Sequence, residues 1–235
     1  MTSIGRLSLV ISLSLNALVA LPVIALLCSS ATVRSHVYQE VLAKRLGRPE
    51  IVFVGDSITA YGGIWAFRLG RFDLSTWNLA QAGSSTRQIL ERQVRPIAHE
   101  RPRVAFVMAG INDEDKSRSG AERSFGYYRE MLDVLRTAGT EPVIQLTLYR
   151  QNETDPDFVD NLNGMLRAYA AATGLSVVDL NPVLCRDRSL RPEFSRDGVH
   201  LTEAAYRLWA AELRNVLAER ENRRPERPST EALAR

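Results

Sequence analysis

A serine that could act as a nucleophile follows a short apolar run. Residues 51–63 read IVFVGDSITAYGG, so that four apolar residues lead into Gly-Asp-Ser, and the serine is Ser57. The apolar run predicts a buried strand, which the turn-forming Gly and Asp would end. A serine hydroxyl becomes an effective nucleophile only when a base removes its proton. The alternative interpretation of Ser57 is a helix N-cap, since serine is a preferred residue there.

The candidate base is His200, one of three histidines in the chain. His36 follows a long apolar segment and His99 ends a predicted helix, so we interpret both as surface residues. His200 lies in SRDGVHLTEAAY, after the last predicted strand, with Asp197 three residues before it. This spacing allows one turn to place a carboxylate beside an imidazole, which fixes the tautomer of the ring and stabilises its protonated form. The alternative is an Asp-Gly turn whose residues only cap the following helix.

Acyl transfer also needs hydrogen-bond donors for the negative charge that develops on the carbonyl oxygen. Gly83, in NLAQAGSSTRQIL, permits a close approach of the backbone, so that its N–H can face a ligand. Asn112, in FVMAGINDED, offers a side-chain amide. Together with the backbone N–H of Ser57 these groups could form three neutral donors. Taken singly, Gly83 is an ordinary turn residue and Asn112 part of an ordinary polar loop.

Five apolar runs alternate with longer amphipathic stretches from residue 51 onward. The predicted strands are 51–54, 75–80, 103–108, 142–148 and 175–180, and the predicted helices are 62–70, 84–98, 120–138, 156–173 and 201–220. Strands that alternate with helices form parallel sheets through right-handed crossovers. The sequence therefore predicts an α/β fold with three layers, α/β/α, around a mainly parallel five-stranded sheet. Reactive groups in such sheets gather beyond the carboxyl ends of the strands.

The four motifs GDSIT, AQAGSST, GIND and DGVHLT occur in the order of the four sequence blocks of the SGNH, or GDSL-type, hydrolases. The chain resembles this family over about residues 50–215, nearly all of its globular part. Ile58 stands where the literal GDSL block has leucine, a similar apolar residue. The resemblance implies a flavodoxin-like α/β/α fold and a carboxylic ester hydrolase that needs no metal or cofactor.

The resemblance also implies a role for each candidate residue. Ser57 would be the nucleophile, His200 the general base and then the general acid, and Asp197 the carboxylate that orients the imidazole. The N–H of Ser57, Gly83 and Asn112 would form the oxyanion hole. The implied reaction is acylation of the serine followed by hydrolysis of the acyl-enzyme.

Several substrate classes are compatible with this resemblance, since the family includes carbohydrate acetylesterases, lysophospholipases, thioesterases and short-chain phospholipid acetylhydrolases. No long apolar lid segment is evident, so we expect a short acyl group, notably acetyl on a cell-envelope glycan. Loops 59–65 and 148–157 are expected to shape the pockets. Trp65 and Tyr149 would contact the sugar or the acyl group, unless both are packing residues. Acyl transfer to a glycan hydroxyl and a non-catalytic, anchored binding module are the remaining hypotheses.

The composition is that of a globular protein and argues against a dedicated nucleic-acid binder. The 235 residues are 45% hydrophobic and 24% charged, and 30 Lys and Arg against 27 Asp and Glu give a formal charge of only +3. The sequence also lacks a basic module with interleaved aromatic residues.

The acidic run NDED at 112–115 is interpreted as a solvated loop rather than a metal site. The placement of Cys28 and Cys185 makes a disulfide between them an unfavoured hypothesis.

The chain is predicted to have four parts. Residues 1–31 form a membrane anchor or signal segment, because 7–28 carry no charge and are long enough to cross a bilayer. A cleavable signal peptide is the alternative, with Ser29 and Ala31 as the small residues of the cleavage site. Further along are a juxtamembrane linker helix at 32–49, the hydrolase domain at 50–220 and a disordered charged tail at 221–235. We expect the catalytic domain to be extracytoplasmic, either anchored or released by cleavage.

Overall fold

The computed structural model describes Tyr38, residues 44–152 and residues 155–222. The segment predicted as an anchor or signal at 1–31, most of the predicted linker helix at 32–49 and the chain from 223 onward lie outside these residues. Within the described part, no helix combines the length and the apolar character needed to span a bilayer.

The fold is organised around one sheet of five strands in the order β2-β1-β3-β4-β5. The strands are β1 (Ile51–Val54), β2 (Thr76–Asn78), β3 (Val104–Met108), β4 (Glu141–Gln145) and β5 (Ser176–Val178). Each neighbouring pair is parallel. The predicted α/β fold with a parallel five-stranded sheet is therefore confirmed, and its strand order is the flavodoxin-like one.

Strand bounds agree best with the prediction at β1 and β3, whereas β4 ends at Gln145, three residues earlier than predicted. β1 has the predicted bounds, and β3 begins one residue later than predicted. β2 and β5 are only three residues long, shorter than the predicted 75–80 and 175–180. Both are edge strands, which pair on one side only and so form shorter ladders.

Alternate residues of β1 pack on opposite faces of the sheet. Ile51 and Phe53 belong to one buried cluster, Val52 and Val54 to the other, and all four are fully buried. A strand covered on both faces reads as a continuous apolar run, which explains the sequence IVFV. Burial on both faces fixes the register of the strand that leads into Ser57.

The helices of the described residues surround this sheet. They are α1 (Lys44–Leu46), α2 (Ser57–Ala60), α3 (Trp65–Arg68), α4 (Thr86–Ile89), α5 (Arg95–Ala98), α6 (Arg118–Thr137), α7 (Pro156–Thr173), α8 (Asn181–Leu184) and α9 (Glu203–Asn222). A π-helical segment, Leu90–Val94, joins α4 to α5, and a 3₁₀ turn covers Pro192–Phe194. A two-stranded hairpin, β6 (Cys185–Arg186) and β7 (Ser189–Leu190), follows α8.

Helices cover both faces of the sheet, which gives the three predicted layers. α4, α5, α6 and α7 pack on one face, and α2, α3 and α9 pack on the other. Trp209 of α9 is fully buried, and its indole N–H donates to Gln145 Oε1 of β4 at 2.7 Å. The buried amide of the strand is thus partly satisfied by the helix that covers it.

Three helix predictions need correction. The helix predicted at 62–70 is only the short α3, and the separate helix α2, which precedes it at Ser57–Ala60, was not predicted. The helix predicted at 84–98 is interrupted by its π-helical segment. The last helix continues to Asn222, so the tail predicted from 221 begins too early. Arg220 explains the extension, because its buried side chain donates to Glu141 at 2.8 Å and ties the last turns to β4.

Tyr128 of α6 connects the helical layer to two neighbouring strands. Its buried hydroxyl lies within hydrogen-bonding distance of the carbonyl oxygens of Val107 and Gln145. Burial raises the pKa of Tyr128 well above its usual value, so the group remains a neutral donor.

Tyr128→Phe is expected to lower the free energy of unfolding by about 1–2 kcal/mol, because the buried carbonyl oxygens lose a donor that water does not replace. Tyr169→Phe is the matched control, since that hydroxyl donates to Asp133 at the exposed surface. Urea denaturation of both variants and the wild type measures the difference. An equal loss in the two variants would contradict a special role of the buried hydroxyl.

Candidate active site

The loops that follow β1, β2 and β3 meet at one edge of the sheet, because these three strands are parallel neighbours. The Gln81 N–H, beyond β2, donates to the carbonyl oxygen of Gly55, beyond β1, at 3.1 Å. The Asn112 side-chain amide, beyond β3, donates to the carbonyl oxygen of Ser84 at 3.2 Å. The loops that carry the predicted nucleophile and oxyanion donors are therefore directly joined.

Ser57 is the first residue of α2 and is not its N-cap. That position belongs to Asp56, whose carboxylate accepts the Ile58 N–H at 2.9 Å. The N-cap that the alternative interpretation assigned to Ser57 is therefore Asp56. The Ser57 side chain is left to face the loop that carries His200, and the residue is 7% exposed.

The turn from Asp197 to His200 holds a carboxylate against an imidazole. Asp197 Oδ2 lies 2.6 Å from His200 Nδ1, and its Oδ1 accepts the backbone N–H of His200 at 2.8 Å and of Val199 at 3.1 Å. Gly198 has φ +93°, a left-handed conformation that favours glycine and closes this turn. One carboxylate therefore fixes both the backbone of the turn and the ring of its histidine.

Ser57, His200 and Asp197 form one continuous chain of hydrogen bonds. His200 Nε2 lies 2.9 Å from Ser57 Oγ, on the side of the ring away from Asp197. With Nδ1–H donated to Asp197, Nε2 is free to accept the serine proton. The hydrogen bonds from the His200 side chain and backbone lower the pKa of Asp197 to about 2, so the carboxylate is ionised at neutral pH.

Gly83 and Asn112 lie side by side at the same edge. Gly83 has φ +77° in the turn after β2, and among the described residues nothing accepts its N–H. One side-chain N–H of Asn112 donates to the Ser84 carbonyl oxygen, which orients the amide and leaves its second N–H for a ligand. The convergence of these donors with the Ser57 N–H on one substrate oxygen stays a prediction.

The family model described as GDSL-like lipase/acylhydrolase matches residues 53–208, which is more than half of the chain. The chain belongs to this family. The protein is therefore an enzyme of the GDSL-like acylhydrolase class, and the resemblance stated from the four sequence motifs is confirmed.

Solved structures share the fold at low sequence identity. A GDSL-like lipase from Bacteroides thetaiotaomicron is 18% identical, with a TM-score of 0.65 over 81% of this chain and 99% of its own. An acetyl xylan esterase is 17% identical, with a TM-score of 0.59 over 71% of this chain and 98% of its own. A carbohydrate esterase of family 3 from Talaromyces cellulolyticus is 14% identical, with a TM-score of 0.58 over 73% and 97%. No curated protein sequence matches the chain.

Asp113 plays a structural part in this GDSL-like site that the sequence did not reveal. It accepts the backbone N–H of Thr86 at 2.7 Å, the Thr86 hydroxyl at 2.5 Å and the Ser124 hydroxyl at 2.5 Å. The interpretation of NDED as a solvated loop is therefore wrong for this residue. Asp113 thus joins two helices, α4 and α6, to the loop that carries Asn112. Across the described residues, no group of three His, Cys, Asp or Glu side chains is arranged to hold a metal ion.

The two residues predicted to contact substrate have different surroundings. The prediction for Trp65 is wrong, because the residue is fully buried, stacks on Phe53 with ring centroids 4.5 Å apart and donates its indole N–H to the Thr59 carbonyl oxygen. Tyr149 is partly buried and its hydroxyl donates to Asp160. Its role in substrate binding stays a prediction.

Tyr61 is an aromatic residue beside the catalytic candidates that the sequence analysis did not single out. Its ring centroid lies 4.8 Å from that of His200, and the residue is 49% exposed. The loop 59–65 was expected to shape a pocket, and an aromatic residue within it was the available signal. The Tyr61 ring therefore covers one side of the imidazole.

Asp56 is a second carboxylate near the predicted nucleophile, in surroundings opposite to those of Asp197. It is 1% exposed, and its Oδ2 has no hydrogen-bond partner among the described residues. Burial raises the pKa of Asp56 to about 6, while the Ile58 N–H and the nearby His200 oppose the shift. Ionised Asp56 is therefore a cost to the folded state.

Asp56→Asn is expected to gain roughly 2–3 kcal/mol of stability relative to the wild type between pH 4 and pH 7, since its amide keeps an acceptor for the Ile58 N–H and cannot become a buried charge. The raised pKa of Asp56 lies above its unfolded value of 3.8, so the wild type loses stability as the pH rises from about 4 to about 6. The gain of the variant over the wild type should therefore develop as the pH rises across that window. Urea denaturation at pH 4 to 7 measures this, and a gain independent of pH would contradict it.

Proposed function

We propose that the protein is a serine esterase that removes short acyl groups, chiefly acetyl, from a glycan. The observation that carries the mechanism is the continuous chain of hydrogen bonds from Ser57 Oγ through His200 to Asp197. This chain stands at the carboxyl edge of a parallel sheet, where GDSL-like acylhydrolases are expected to hold their reactive groups.

In the first half of the reaction, Ser57 Oγ attacks the carbonyl carbon of the ester while His200 Nε2 accepts the serine proton. Asp197 stabilises the imidazolium that forms. The oxyanion is bound by the Ser57 N–H, the Gly83 N–H and the free N–H of Asn112. The tetrahedral intermediate then expels the alcohol, which takes the proton from His200 and leaves an acyl group on Ser57.

In the second half, water replaces the alcohol. His200 Nε2 accepts a proton from the water, whose oxygen attacks the acyl carbon. Collapse of the second intermediate releases the carboxylic acid, and the serine oxygen recovers its proton from His200. The His200 side chain is 26% exposed and that of Asp197 53%, so the site is open enough for water to reach it.

A polar cleft beside the oxyanion donors favours a glycan as the leaving group. It has a volume of about 840 Å³ and runs between α4 and the start of α6. Its lining includes Gly83, Arg87, Gln88, Glu91, Arg92, Asn112, Glu114, Asp115 and Arg123. Positive, negative and amide side chains can all bond to sugar hydroxyls, which both donate and accept hydrogen bonds. An alkyl chain would leave these polar side chains without partners. The structural likeness to an acetyl xylan esterase and a carbohydrate esterase agrees with this choice.

We also propose that residues 7–28 anchor the enzyme in a membrane, with the catalytic domain outside the cytoplasm. Tyr38 contacts Phe67 at a ring-centroid distance of 5.7 Å and donates to the Asp73 carbonyl oxygen at 2.6 Å. Asp73 lies just before β2, at the edge of the sheet opposite to Ser57. Because Tyr38 follows the proposed anchor in the sequence and packs at this edge, the candidate site lies at the edge of the sheet away from it.

Ser57→Ala is expected to lower the hydrolysis of nitrophenyl acetate by at least about 10³-fold, because the nucleophile is lost. The wild-type hydrolysis rate should fall from the acetate ester to the octanoate ester. The wild type should also release acetate from an acetylated glycan. Rates measured for both proteins across the series test this directly. Activity that survives in Ser57→Ala would overturn the mechanism, and activity that rises with chain length would move the substrate to lipids.

His200→Ala is expected to reduce kcat about as much as Ser57→Ala, since serine and base act as a unit. Asp197→Ala should retain roughly 10- to 100-fold more activity than His200→Ala, because the imidazole remains although poorly oriented. Steady-state kinetics of the variants on nitrophenyl acetate measure this order. Wild-type turnover by His200→Ala would remove histidine from the proposed mechanism.

A further inference from the structure

Gly55 links the buried strand β1 to Asp56 and Ser57, so its peptide groups set the direction of the nucleophile. β1 ends at Val54, and the ladder with β2 ends at Phe53 and Asn78. The Gly55 carbonyl oxygen still accepts the Gln81 N–H at 3.1 Å, but the Gly55 N–H lies beyond the ladder and needs a partner from elsewhere.

The side chain of Gln93 supplies this partner and adds a second donor to the Gly55 carbonyl oxygen. The Gly55 N–H donates to Gln93 Oε1 at 2.8 Å, and Gln93 Nε2 donates to the Gly55 carbonyl oxygen at 2.9 Å. Two antiparallel hydrogen bonds from one planar amide fix both the position and the rotation of the residue they hold. Gln93 is 2% exposed, so water does not compete for either bond.

A local irregularity of the helix accompanies this contact. Gln93 lies in the π-helical segment Leu90–Val94, whose buried residues are Leu90, Gln93 and Val94. π-Helical turns are frequent at functional sites. The two apolar neighbours pack in the core, whereas the amide between them is directed to the strand end that carries the nucleophile.

We propose that Gln93 is a positioning residue of the esterase: it holds Gly55 so that Ser57 Oγ stays aligned with His200 Nε2 and the Ser57 N–H stays aimed at the oxyanion. The inference rests on the proposed serine mechanism. It assigns Gln93 no contact with substrate. Its effect is expected on the chemical step, because small displacements of a nucleophile are costly while binding is unaffected.

The same amide arrangement occurs at a second strand end and provides a matched control. Asn163 Oδ1 accepts the Thr147 N–H at 2.9 Å, and Asn163 Nδ2 donates to the Thr147 carbonyl oxygen at 2.8 Å. Asn163 is also 2% exposed, but it holds the chain after β4, which carries no proposed catalytic residue. Removal of either amide costs stability in a similar way, and only one of them adjoins Ser57.

Gln93→Met and Asn163→Leu in the full-length protein separate positioning from stability. Gln93→Met is expected to lower kcat on nitrophenyl acetate about 10- to 100-fold with KM little changed. Asn163→Leu should lose a comparable amount of stability in thermal unfolding with a much smaller change in kcat. Equal kcat losses in the two variants, or wild-type kcat in a folded Gln93→Met, would overturn the inference.

Gln93→Glu tests the role by a second route that does not require the apolar variant to fold. Its carboxylate can accept the Gly55 N–H but turns a second oxygen towards the Gly55 carbonyl oxygen. When protonated, the same group regains a donor and restores both bonds. The kcat of Gln93→Glu relative to wild type should therefore rise as the pH falls, and a ratio independent of pH would count against the proposal. Wild-type and Ser57→Ala rates in the same assay show separately whether the serine mechanism itself holds.

Discussion

The hydrogen bond between Ser57 Oγ and His200 Nε2 joins residues 143 positions apart, and the fold must bring them together to 2.9 Å. Ser57 is placed by the interior strand β1, which is buried on both faces and therefore held in register. His200 is placed by a turn that the carboxylate of Asp197 closes on itself. The remaining requirement is that α9 packs on the correct face of the sheet. Trp209 meets it by burying its ring beneath the strands and donating to Gln145.

Strand ends in this sheet are closed by buried side-chain amides. Gln93 binds both peptide groups of Gly55 beyond β1, and Asn163 binds both peptide groups of Thr147 beyond β4. The strand ladders end near these points while the backbone remains shielded from water, so an unpartnered N–H or carbonyl would be costly. Amides satisfy a donor and an acceptor at once. They allow the chain to leave the sheet in a defined direction, which is the condition for a loop to present a reactive group accurately.

The features that could be predicted from the sequence are those with a strong local pattern. The uninterrupted run of β1 and the amphipathic period of α7 were predicted with their observed bounds, and the Asp-Gly-Val-His turn indicated the paired carboxylate and imidazole. Contacts between distant segments left no such pattern. The three donors that converge on Asp113 come from two other helices, and the burial of Trp65 depends on aromatic rings of β1 and α9. A tryptophan in a site loop looks the same in sequence whether it faces substrate or core.

Two carboxylates near His200, Asp197 and Asp56, have opposite environments and opposite pKa shifts. Asp197 is about half exposed, and its hydrogen bonds to His200 hold its pKa at about 2, so it carries a full negative charge throughout the neutral range. Asp56 is buried with an unpartnered oxygen, and its pKa is raised to about 6. An ionised Asp56 also favours a positive imidazole, although it makes no direct bond to the ring. Its raised pKa weakens this charge as the pH falls towards 6, whereas that of Asp197 persists. In the proposed mechanism the imidazolium is therefore stabilised chiefly by the carboxylate that also orients the ring, which ties the protonation of His200 to the geometry needed for proton transfer.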